Sequence, residues 1–99
     1  MRVTLPHDLP REEVRRRMHA HADEIASFFP PGLADVSTSW PNEDRMEITA
    51  TVVGYTIPGG VDVREKEVVI EMQLPAILGL MRGALEKAVR KEGGRLLRP

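Results

Sequence analysis

Residues 67–89 constrain the fold of this chain more than any other stretch. Within 67–73, Val68, Ile70 and Met72 alternate with Glu67, Val69, Glu71 and Gln73, the two-residue period of a half-buried strand. Leu74-Pro75 follows, and a proline, with no amide hydrogen and a fixed φ, suits the first turn of a helix. Leu74, Ile77, Leu78, Met81, Leu85, Ala88 and Val89 then recur at the 3.6-residue period. They make an apolar stripe that has to be buried, and the rest of the chain must supply its bed.

The preceding residues provide strands and one further helix. Val3 and Leu5 alternate in a short strand closed by Pro6. Asp8 is placed to cap a helix over residues 10–29, with Glu12 and Glu13 at the positive end of its dipole. Val14, Met18, Ala22, Ile25, Phe28 and Phe29 share one face of that helix, and Pro30-Pro31-Gly32 stops it. Residues 36–40 are rich in β-branched and hydroxyl side chains. In residues 45–53, Met46, Ile48, Ala50 and Val52 oppose Glu47, Thr49 and Thr51. These two strands form a hairpin across Pro41-Asn42-Glu43-Asp44. Gly54 marks a bulge or turn, and Pro58-Gly59-Gly60 a second break before a brief strand over residues 61–64.

The expected order is β-α-β-β-β-β-α in a single domain spanning residues 1–99. Because the long strands are polar on one side, the class is α+β: a single antiparallel sheet with two helices packed on one face. The residues after Glu92 read as a frayed end, although Leu96 and Leu97 offer a way back onto the sheet.

Composition removes several function classes. Fourteen Lys and Arg against fifteen Asp and Glu give a net charge of −1, without the basic surplus that nucleic-acid binding requires. With no cysteine there is neither a disulfide nor a thiolate metal site. No apolar run has signal-peptide or transmembrane length, so a soluble cytoplasmic protein is the expectation.

Few side chains group into a chemistry. His19 and His21 are two apart, so on a helix their rings diverge by about 200° and do not share a metal. His21 falls on the apolar stripe as a partly buried histidine, and His19 lies opposite, one turn from Asp23. Arg15-Arg16-Arg17 spreads over about 200° of the helix and reads as a solvated face rather than an anion site. No serine or threonine has a His and an acid at motif spacing, and residues 54–60 lack the Lys-Ser/Thr of a phosphate loop. The expectation is no catalytic set, no cofactor and no metal. Gly79 and Gly83 are different: each costs a helix about 1 kcal/mol relative to alanine. Both project away from the sheet, and with Ala76 and Leu80 they form a candidate partner surface, for a homodimer through this helix or for another protein.

The ordered features of the chain resemble one family. An opening His-x-Leu before an acidic helix start is matched by His7-Asp8-Leu9 and Glu12-Glu13. An aromatic before a polar turn is matched by Trp40 ahead of residues 41–44. Glycines bracketing a short loop are matched by Gly54 and Gly60, and a strand leading to Leu-Pro and a long helix by Leu74-Pro75 and Gly83. Together they resemble the polyhydroxyalkanoic acid system proteins, the granule-region family found near polyhydroxyalkanoate genes. The resemblance implies a cytoplasmic accessory protein of storage-polyester metabolism, associated with the granule surface or a granule protein, and carries no catalytic residues. Two other readings compete. A small apolar-ligand carrier requires a void between the C-terminal helix and the strand faces 46–52 and 68–72. An enzyme requires a cleft bringing His7, His19 or His21 to a carboxylate.

Overall fold

The computed structural model describes residues 1–24, 34–52 and 54–99. The elements run β1 (Arg2–Pro6), α1 (Arg11–Ala20), β2 (Ala34–Asn42), β3 (Arg45–Val52), β4 (Tyr55–Val63), β5 (Glu67–Met72) and α2 (Arg82–Leu96). A 3-10 helix, Ala76–Met81, joins β5 to α2. All five strands form one sheet, ordered β1-β5-β4-β3-β2, with every neighbouring pair antiparallel. The class, element order and single sheet are those the alternation patterns require.

Register explains why one face is apolar. Val3 and Leu5 lie opposite Ile70 and Val68, Val61 opposite both Ile70 and Met46, and Ile57 opposite Ala50. Val14 and Met18 of α1, with Leu85 and Val89 of α2, close over this face. On the other face, Arg45 Nη1 donates to Asp62 Oδ2 at 2.8 Å, and Arg2 pairs with Glu71 at 3.5 Å.

Four details depart from the sequence reading. Pro58-Gly59-Gly60 is not a break but the middle of β4. Its glycines allow close approach rather than a turn. A Cβ on Gly60 would fall 2.6 Å from the Arg45 guanidinium carbon, and one on Gly59 would fall 2.6 Å from the Glu71 carbonyl oxygen. Second, Asp8 does not cap α1: Pro10 is the N-cap, and no side chain bonds to the helix start. Third, α1 ends at Ala20, and residues 22–24 form a 3-10 turn. Ile25, Phe28, Phe29 and the Pro30-Pro31-Gly32 stop lie outside the described residues. Fourth, the chain after Glu92 is not frayed. Helix α2 runs to Leu96, and Leu97 is buried in the core. Gly93 is seated directly on the Leu5 side chain. The missing Cβ lets the helix lie close to β1.

Candidate functional site

The helix expected to begin at Leu74-Pro75 starts instead as the 3-10 helix, in which no residue is fully buried. Short helices hold together chiefly through packing, and this one carries Gly79 and follows an extended Pro75 (φ −60°, ψ 150°). Tightening to three residues per turn changes which side chains align. Ile77 and Leu80 fall on one side, and Leu78 and Met81 on the other. Leu74, Leu78 and Met81 pack partly buried against the cluster of Ala50, Val52, Ile57, Met72 and Leu85. Ile77, placed on the buried stripe by an α-helical period, is 66% exposed, and Leu80 is 100% exposed.

The four partner-surface candidates, Ala76, Gly79, Leu80 and Gly83, are all exposed. A Cβ on Gly79 or Gly83 would meet nothing within 4 Å. Residues 74–81, Leu-Pro-Ala-Ile-Leu-Gly-Leu-Met, contain no charge, and Arg82, Lys87, Arg90 and Lys91 follow on α2, exposed. The result is an apolar ridge with Arg82 at its C-terminal end.

A family model for the putative polyhydroxyalkanoic acid system proteins matches residues 1–97. The chain belongs to that family. No curated protein and no solved structure matches it. In this family member the His-x-Leu opening has a structural explanation. His7 is 6% exposed; its Nδ1 accepts the Leu9 amide hydrogen at 3.2 Å, and its Nε2–H donates to the Arg64 carbonyl at 2.9 Å. These partners assign the ring proton to Nε2 and tie the end of β1 to the β4–β5 turn.

The other two histidines differ from expectation. His21 is exposed rather than partly buried, because α1 ends before it, and its Nδ1 lies 2.9 Å from Glu24 Oε1. The His19 ring stacks on Trp40 with centroids 4.0 Å apart. Among the described residues no three His, Asp or Glu side chains converge on a metal position. No described helix is long and apolar enough to cross a membrane.

The arginine run has a role that sequence spacing did not reveal. Its spread around the helix divides the three guanidiniums among the β2–β3 turn, Glu13 of the same helix and the end of α2. Arg15 donates to Asp44 in the β2–β3 turn at 2.6 Å. Arg16 doubles back to Glu13 of its own helix at 2.5 Å. Arg17 bonds Glu13 at 2.9 Å and donates to the Leu96 carbonyl at 2.8 Å and to that of Arg98, satisfying carbonyls at the end of α2. The Arg16 and Arg17 guanidiniums hold the Glu13 carboxyl at a pKa of about 2. The run therefore acts as a brace between elements.

Beneath the helices lies an apolar cavity of about 100 Å³. Met46, Ile48 and Val68 of the sheet and Leu85 and Val89 of α2 line it, in the place a ligand-carrier reading requires. Its polar lining residues are His21, Glu24 and Glu92.

Proposed function

We propose that this family member is a non-catalytic accessory protein of a polyhydroxyalkanoate system, attaching in the cytoplasm to the granule surface through the Ile77–Leu80 ridge. The observation that carries this reading is the ridge itself: a fully exposed leucine and a largely exposed isoleucine, aligned on an uncharged segment that Arg82 follows. An apolar patch rimmed by polar groups is the form expected of a surface that meets another apolar phase. Complete burial of one such side chain gives about 1.5–3 kcal/mol, so two give about 3–6 kcal/mol before the cost of ordering. Attachment is therefore reversible.

Co-sedimentation with isolated polyester granules tests this. Wild type should pellet, and Ile77→Ser with Leu80→Ser should weaken binding by roughly a hundredfold or more, since 3 kcal/mol is about two decades. Both side chains face solvent, so the thermal transition should be unchanged. Wild type left wholly in the supernatant would contradict the proposal. Conversion of a dimer to a monomer by the same variant, with granule binding retained, would assign the ridge to homodimerisation through α2.

The cavity favours a second reading, a module binding a small apolar ligand. A bound acyl compound should raise the thermal transition, and Ile70→Phe, which fills the lining, should remove that rise without unfolding the protein.

A further inference from the structure

The apolar cavity does not stand alone: His21, Glu24, Glu92 and Leu96 line both it and a second, polar basin between the ends of α1 and α2. That basin also holds Arg16, Arg17 and Arg95. We infer that the two compartments form one bipartite site for a short amphiphile, its apolar chain in the cavity and a carboxylate head among the basin cations. The inference rests on the ligand-binding reading of the cavity.

The charged groups at the basin are not equally available. Arg17 is committed to Glu13 and to the carbonyls at the end of α2, and Arg16 is held by Glu13. Arg95 is the most available, since its contacts to Glu92 are long, 3.4 and 3.5 Å, and its side chain is mostly exposed. His21 faces Glu24 at 2.9 Å, also near the surface. Exposed ion pairs contribute only about 0–1 kcal/mol, so a carboxylate held in place by its own buried chain can take Arg95 from Glu92. A neutral head group gains nothing comparable from a guanidinium.

Volume limits the chain. An apolar cavity of roughly 150 Å³ accommodates benzene, so one of about 100 Å³ takes about two-thirds as many carbons, roughly four. Longer chains gain nothing from carbons left outside. Each methylene buried inside adds about 0.8 kcal/mol, or about fourfold in affinity.

Titrations of the isotope-labelled protein followed by NMR, with butanoate, hexanoate, octanoate and hexan-1-ol at millimolar concentrations, test the assignment. Affinity should rise about fourfold in all from butanoate to hexanoate and stay level at octanoate. Hexanoate should bind up to about fivefold tighter than hexan-1-ol, with shifts at Arg95 and His21. Arg95→Gln should abolish that preference while leaving hexan-1-ol affinity within twofold. Equal affinity for acid and alcohol, or a preference that survives in Arg95→Gln with His21→Gln, would overturn the head-group assignment and leave the apolar cavity reading intact. If neither compound binds wild type, the cavity reading fails and this inference with it.

Discussion

His7 shows how a buried histidine can be a strut rather than a reagent. Both ring nitrogens are occupied by backbone groups, one from Leu9 and one from Arg64. His7→Ala leaves that amide and that carbonyl without partners at a site with little access to water. It should cost about 1–3 kcal/mol, read as a lower urea midpoint. Glu13 makes a pH-dependent contribution. Hydrogen bonds from Arg16 and then Arg17 lower its pKa to about 2, from an ordinary 4.5. A depressed carboxyl pKa stabilises the fold fully above the unfolded value, and the contribution fades as pH falls from 4.5 toward 2. Glu13→Gln should therefore melt below wild type at pH 7, with the two converging near pH 2. A gap that is unchanged at pH 2 would contradict the assignment.

At the scale of elements, the glycines of α2 separate by what surrounds them. Gly83 faces open space and Gly93 presses on Leu5. Gly83→Ala should stabilise by up to about 1 kcal/mol through helix propensity. Gly93→Ala should destabilise by about 1 kcal/mol, because overpacking at about 1–3 kcal/mol outweighs the same gain. Urea titrations of the two variants should move in opposite directions. The same contrast explains how much of the fold could be read from the sequence. Strict alternation in β3 reported burial directly, because a one-residue slip would expose the whole apolar set. In β5 it did not, since Val69, placed outward with Glu67 and Glu71, is buried and Ile70 is only half-buried. Pro58-Gly59-Gly60 resembled a turn, since local chemistry alone does not show that Arg45 and the β5 backbone need the space above those residues. The helical period of residues 74–81 placed Ile77 inward, and only the three-residue turn, imposed by weak packing, turns it out. The exposure of Ala76, Gly79, Leu80 and Gly83 was legible, whereas that of Ile77, the other half of the ridge, was not. The joining of cavity and arginine basin was not, because it depends on how the ends of two helices meet across 79 residues of sequence.

For the whole molecule, the sheet with its two helices carries two distinct apolar features, a partly open cavity beneath the helices and an external ridge. The polyester surface is the counterpart proposed for the external ridge. The absence of cysteine allows a direct test with a single introduced thiol. An environment-sensitive fluorophore on Gly83→Cys, beside the ridge with Ile77 and Leu80 intact, should shift to the blue when granules are added. The same label on Thr49→Cys, on the exposed outer face of the sheet, should not. Emission at position 83 that stays that of water while the protein pellets, or an equal shift at both positions, would contradict attachment through the ridge.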